Sequence, residues 1–433
     1  MNKLTQGGPL GRRNFLARAA VAATVASLAE GAKALTSTRQ AGVRTEVCAK
    51  PVDDTVPFWG PHQAGIATAM QAHTYFIAFD LVTEQRDDVI RLLQAWTTAA
   101  AQMSRGPARF DPKADPQARP AESGAAVDLP ASRLTITFGF GPTLFQTKDG
   151  RDRYGIAARR PEALRELPVF VGDQLVPERC GGDLSIQACA DNPQVVEAAV
   201  RRLARLANGV AVMRWAQTGF SGSFPHGQTG RNTMGFKDGT LNIPTQDASA
   251  MDKFVWAGEE APAWMRGGSY MVIRPIRISL EHWDDMTTAF QEETVGRHKT
   301  SGAPMGKHGE FEALELERTQ ADGQPVTNEN SHAAMSAPEN NDGAQILRRA
   351  FSYDNGIAKI AERWPPWRQL VTFDAGLLFQ CYQRDPRAGF IKMYKKMATI
   401  DMLNQFTTHT GSAIFACPPG VEPGGYIGQH LFT

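Results

Sequence analysis

The sequence predicts an α+β fold of two similar halves, with antiparallel sheets and peripheral helices. Three observations predict it. Short alternating runs rich in β-branched and aromatic residues are interleaved with longer runs of helical periodicity. The rhythm of strands and helices in the first half is repeated in the second, with a long insertion. Hydrophobic residues make up 42% and charged residues 21%, ordinary globular proportions that supply a core.

In the first half, His73 to Leu81 (HTYFIAFDL) reads as a strand and Asp87 to Met103 as a helix. Residues 105–130, rich in Pro, Gly, Ala and charge, read as a loop. Leu134 to Phe140 (LTITFGF) alternates like a strand and runs into a breaker, Gly139-Phe140-Gly141-Pro142. Asp183 to Cys189 is a further strand, followed by a long helix from about Pro193 to Asn208.

The second half begins with a strand from Ser269 to Leu280, where Pro275 predicts an edge or a bulge. A helix from Glu281 to Thr294 and an irregular stretch from Gly296 to Asp342 follow. Ala375 to Gln383 is a strand and Arg387 to Asn404 a helix. Each half then has a ferredoxin-like order, with the halves placed at 61–233 and 234–433 and packed by their sheets.

The N-terminus stands outside this pattern. Gly11-Arg12-Arg13-Asn14-Phe15-Leu16 precedes an alanine-rich apolar run from Ala19 to Ala29, and Ala32-Lys33-Ala34 has small residues at the two positions a signal peptidase reads. This is the layout of a twin-arginine export signal. It predicts removal of residues 1–34, a flexible leader over 35–60, the twin-arginine export machinery as a partner, and a periplasmic or secreted product. Residues 1–34 carry five cations against one carboxylate, so a net charge of +1 for the whole chain becomes about −3 without them. A mildly acidic chain with no basic block is a poor binder of nucleic acid. No apolar run beyond the N-terminus is long enough to span a bilayer. The five cysteines (Cys48, Cys180, Cys189, Cys381 and Cys417) form no C-x-x-C pair, which argues against a zinc or iron–sulfur site. Cys189 and Cys381 lie in apolar, strand-like runs and read as buried small residues.

The densest punctuation is Arg231-Asn232-Thr233-Met234-Gly235-Phe236-Lys237-Asp238-Gly239-Thr240. Asp238 there is either a turn cap or a carboxylate held in a pocket by a backbone that needs glycine on both sides. Among nine histidines, His332 has small residues after it (Ala333, Ala334), which would let a flat cofactor approach the backbone. Sixteen residues on, Arg348 and Arg349 sit side by side among apolar neighbours in Ile346 to Tyr353, an unusual placement whose plain reading is a surface ion pair at a helix or strand end.

Gly235-Phe236-Lys237-Asp238-Gly239 resembles the G-x-x-D-G signature of dye-decolorising peroxidases. The resemblance extends, in order, through Gly182-Asp183-Leu184 with Ala190-Asp191-Asn192-Pro193, Gly296-Arg297-His298-Lys299 with Gly302-Ala303-Pro304, and Ile346 to Tyr353. It continues in Gly376-Leu377-Leu378-Phe379 with Gln383-Arg384-Asp385-Pro386, and in His409-Thr410-Gly411-Ser412-Ala413. The export signal points to the secreted branch, which includes the periplasmic member of a bacterial iron-uptake operon.

The resemblance implies duplicated ferredoxin-like halves of the dimeric α+β barrel type, binding one b-type haem per chain in the second half. His332 matches the iron ligand, Asp238 the distal acid–base and Arg348 the distal arginine. Gly239, Arg297, Arg348 and Phe390 would line the cofactor. Arg297 and Lys299 would either pair with haem propionates or cap their loop. Asp374 and Asp385 are both candidates to support the ligand histidine. Trp364, Trp367, Tyr353 and Tyr382 are candidate electron relays to bulky donors. The implied reaction uses hydrogen peroxide to oxidise dyes, phenolic or other one-electron donors. The alternatives are a haem-handling protein of the deferrochelatase kind in periplasmic iron uptake, a sister haem enzyme such as a chlorite-splitting one, or a non-haem binding module; a homodimer is compatible with each.

Two departures stand out. The family has a further arginine after the histidine and a small run ending in Asn-Pro, where this chain has His332-Ala333-Ala334-Met335-Ser336-Ala337-Pro338. Glycine is usual after the double arginine, where this chain has Ala350, a restriction if that position requires positive φ.

Overall fold

The computed structural model describes residues 54–106, 117, 123–222, 229–361 and 370–433. The export signal, most of the leader, Cys48, Trp364 and Trp367 lie outside the described residues. Residues 52–433 form one compact unit. The described end of the expected leader is not loose: Phe58 is buried, the Gly60 N–H donates to Val421 O (3.2 Å), and Asp54 Oδ2 accepts from Ser132 N (2.8 Å).

The described strands are β1 (His73–Leu81), β2 (Thr135–Phe140), β3 (Leu184–Ala190), β4 (Ala211–Phe220), β5 (Ser269–Ile278), β6 (Leu347–Arg348), β7 (Phe351–Ala361), β8 (Leu370–Gln383), β9 (Thr407–His409) and β10 (Ala413–Cys417). Within the first half the order is β4-β1-β3-β2, and within the second β10-β5-β8-β7. Both are the antiparallel order of a ferredoxin-like unit, so the duplication is visible in the pairing itself. The halves join twice, through β4–β7 and β2–β10. Because β8 also pairs with β5, the ring closes into a barrel.

Strand alternation divides the residues between the two faces. Phe76, Trp215, Met271, Leu378, Tyr382 and Phe415 fill the barrel interior. On the outside of the first half, Ile77, Phe79, Ile136, Phe138 and Ile186 pack beneath helices Arg86–Met103 and Pro193–Leu206. The first helix presents Val89, Leu92, Leu93, Trp96, Ala100 and Met103 at helical spacing. Trp96 stacks on Phe138 and donates through Nε1 to Leu203 O (2.8 Å). The second starts at Asn192, whose side chain accepts from Gln194 N (2.9 Å), with Pro193 in the first turn.

Three sequence readings change in the second half. β5 is not an edge, and of the two readings of Pro275 the bulge is the one that holds: Pro275 faces Leu378 of β8 on one side, while on the other the ladder passes from Ala413 opposite Ile273 to His409 opposite Ile276, one extra residue lying in the segment that faces β5. The proline occupies the gap between those two pairings, where no ladder donor is needed. The expected helix over 281–294 is two short ones, Leu280–Asp284 and Thr288–Val295, because the Thr287 side chain caps the second by accepting from Phe290 N. The last long helix is shorter than expected, Phe390–Ile400, and ends at Asp401.

Candidate active site

A cavity with about 1720 Å³ of empty space, including solvent at its mouth, lies in the second half. Its floor is the outer face of the sheet, Ile276 and Ile278 of β5 with Leu377 and Phe379 of β8. Helices Phe390–Ile400 and His332–Ser336 contribute Phe390, Met393, Met397, His332, Ala333 and Ser336. The turn carrying Asp238 and Gly239, the Arg297 loop and Arg348 of β6 complete it. His332, Asp238, Arg348, Gly239, Arg297 and Phe390 therefore meet at one cavity.

His332 begins its short helix, capped by the buried Ser331, whose Oγ accepts from Ala334 N (3.4 Å). The side chain is 37% exposed, and that surface lies on the cavity it lines. Its Nδ1 meets Asp401 Oδ2 at 2.7 Å, and the Asp401 side chain is 3% exposed. Burial pulls the His332 pKa down, but the charge of Asp401 and its hydrogen bond outweigh this and leave it above the ordinary value. Asp401 fixes Nδ1 as the donor and leaves the Nε2 lone pair for a ligand. The supporting acid is thus Asp401, and neither Asp374 nor Asp385. Asp374 accepts from Asn355, and Asp385 is engaged by Arg387. The run after His332 needs no further arginine for this contact.

Asp238 Oδ1 accepts from Arg348 Nη1 at 3.0 Å. The glycines flanking the aspartate have φ of +84° (Gly235) and +115° (Gly239), so the backbone demand read from the sequence is real. Arg348 is fixed through its own backbone: its N–H donates to Asn242 Oδ1 and its C=O accepts from Asn242 Nδ2, both at 2.8 Å. Asn242 carried no sequence signal beyond lying three residues after Gly239. Ala350 is not among the described residues of positive φ, so alanine in place of glycine brings no strain. Arg349 turns away and bonds Thr68 O and Gln71.

Arg297 is buried, and its Nη1 donates to Gly302 O (2.7 Å) and Glu310 O (3.1 Å). Its Nη2 is buried with no partner in the described structure. A buried guanidinium N–H left open at a cavity wall asks for an acceptor, preferably an anion. Lys299 does not share this position; its Nζ donates to Gln291 Oε1 (2.7 Å) and lies over the Phe236 ring. Tyr353 and Tyr382 are buried inside the barrel, so neither presents its ring at the surface.

Models of the Dyp-type peroxidase N-terminal and C-terminal domains match residues 63–221 and 229–422. The chain belongs to the Dyp-type peroxidase family. A dye-decolorizing peroxidase of Thermobifida fusca is 37% identical over 385 residues, covering 85% of this chain and 83% of the relative. A deferrochelatase of Escherichia coli K12 is 31% identical, covering 87% and 86%. Among solved structures, an oxyferrous complex of DtpA from Streptomyces lividans is 37% identical with a TM-score of 0.78, covering 88% of this chain and 98% of that one. Dyp-type peroxidases bind haem, and this chain is a haem peroxidase. Its cavity fits that cofactor on its own chemistry. It has apolar walls for a flat macrocycle, a histidine with one nitrogen committed and the other open, and an orphaned buried cation for a carboxylate.

Proposed function

We propose that the chain is an exported peroxidase in which His332 ligates the haem iron, Asp238 moves the proton and Arg348 stabilises charge. The observation that carries this reading is the convergence on one cavity of the His332–Asp401 pair and the Asp238–Arg348 pair. When bound, the haem supplies the redox centre at which peroxide is reduced and donors are oxidised singly. Asp238 holds a proton taken from one peroxide oxygen and returns it to the other, which leaves as water. Arg348, permanently charged, offers a fixed N–H to the oxygen that gains negative charge. Asn242 holds the Arg348 backbone, Asp238 accepts from its guanidinium, and Asp401 keeps His332 oriented. Dyes, phenols and similar one-electron donors are the proposed reductants, and the twin-arginine segment supports a periplasmic or secreted location.

Relatives named deferrochelatases favour a second reading, in which the same site handles haem by releasing iron or passing the cofactor on. One experiment separates them. The absorption spectrum of the purified protein is recorded before and after one equivalent of hydrogen peroxide, alongside His332→Ala. Conversion of the Soret band to a high-valent spectrum, with haem lost in the variant, supports the peroxidase. A band that peroxide only bleaches moves the assignment to haem handling. Full haem with unchanged ligation in His332→Ala overturns the ligand assignment.

A further inference from the structure

Behind the cavity wall lies a buried polar cluster that the proposed chemistry does not use. Arg274 of β5 and Asp173 form an ion pair with both side chains 0% exposed. The Arg274 Nε donates to His409 Nδ1 at 2.8 Å. His409 ends β9, where it faces Ile276 of β5, and it lines the same cavity as His332. It is 7% exposed, and Tyr394 packs against its ring with centroids 4.7 Å apart.

The chemistry of the Arg274 contact decides the tautomer of His409. A guanidinium Nε–H only donates, so Nδ1 must present its lone pair. The ring proton then sits on Nε2. Burial, with the positive charge of Arg274 beside it, keeps the ring neutral. Asp173 offsets the Arg274 charge, so the cluster as a whole presents no net charge to the wall. The product is a neutral N–H donor of fixed orientation, nine-tenths buried, on the wall of a haem cavity, and no protein acceptor meets Nε2 in the described structure.

We propose that His409 Nε2–H is a hydrogen-bond donor to a carboxylate of the bound haem, with Arg274 and Asp173 as the positioning residues that set its tautomer. A carboxylate is the acceptor a fixed neutral donor serves best in a largely apolar cavity, since a hydrogen bond to a charged acceptor is about twice as strong as one to a neutral group. The inference rests on the haem reading of the cavity.

The test uses the holoprotein and measures haem transfer to excess apomyoglobin for the wild type, His409→Gln and His409→Phe. Each is also reconstituted with haemin dimethyl ester, which has no free carboxylate. With haem, His409→Phe should lose the cofactor at least about tenfold faster, while glutamine, which keeps a donor, stays close to the wild type. With the dimethyl ester, the three proteins should lose the cofactor at similar rates. The propionate bending mode in the resonance Raman spectrum should shift in His409→Phe only. Equal transfer rates with haem, or the same acceleration with the ester, overturn the proposal and leave the haem site standing. A wild-type protein that retains neither cofactor overturns the haem reading itself.

Discussion

Asp401→Asn tests the half of the site that the sequence located least well. Asp401 spends one oxygen on His332 Nδ1 (2.7 Å) and the other on Leu403 N (2.8 Å). Asparagine keeps the shape but has one acceptor oxygen and no charge. A hydrogen bond to a charged partner contributes about 1.5–3 kcal/mol and a neutral one about 0.5–1.5, so the His332 contact weakens by about 1–2 kcal/mol. The loss falls mainly on the ferric state, where the ligand carries more positive charge. For one electron, a tenfold change is about 59 mV, so the ferric/ferrous midpoint should rise by roughly 40–90 mV. Losing the Leu403 cap instead would cost about 1 kcal/mol of stability and leave the potential alone. Spectroelectrochemistry and thermal melting on the same sample separate the two effects. Asp374→Asn and Asp385→Asn serve as controls, because neither carboxylate reaches His332. An unchanged midpoint in Asp401→Asn, or an equal rise in either control, would refute the argument.

Three further predictions follow from contacts around the cavity. Asp238→Asn should retain haem but slow the reaction with peroxide by about 10²–10⁴-fold in stopped flow; a wild-type rate would move the proton step to Arg348 or to solvent. Asn242→Ala removes both bonds on the Arg348 backbone and should weaken fluoride binding to the ferric protein by about tenfold, with no added effect in an Arg348→Leu background; additive losses would mean that Asn242 acts elsewhere. For Glu310, burial pushes the pKa up, but bonds from Lys237, Thr229 and Thr240 outweigh it and hold the carboxyl below its ordinary value. Its stabilisation is complete above the unfolded carboxyl pKa and is lost as pH falls through the folded one. Haem release should therefore accelerate on acidification through that window, and Glu310→Gln should flatten the acid limb; an identical pH profile in the variant would count against the loop's role.

What was legible in the sequence follows from how local each signal is. β1, β2, β3 and β5 showed themselves by alternation, and Asp238 by the glycines its backbone requires. β4 was not read as a strand because Val212, Met213 and Phe220 are exposed on it, which blurs the contrast between its faces. Asp401 and Asn242 were missed for a different reason. Asp401 meets its partner across 69 residues and Asn242 across 106, and neither spacing leaves a periodic trace. The same holds for Arg274, whose partners His409 and Asp173 come from two other segments.

The two halves cover the same kind of sheet face differently, and that difference places the cavity in the second half. Both halves expose an apolar outer sheet face that must be covered. In the first, two long helices lie on it, and Trp96 fills the space against Phe138 and Leu203. In the second, the corresponding face receives Phe390–Ile400 and the five-residue helix that starts at His332. The long stretch between Val295 and His332 has no helix among the described residues, and it brings Arg297 to the cavity wall. The cavity is thus the part of that face which short helices and loops leave uncovered. Its polar groups are set by their neighbours: Asp401 beside His332, Asn242 on the backbone of Arg348 and Arg274 beside His409. Asp401 and Arg274 each commit one ring nitrogen of a histidine that lines the cavity, and the nitrogen left over in each suits the space to a ligand with a metal at its centre and acceptors at its edge.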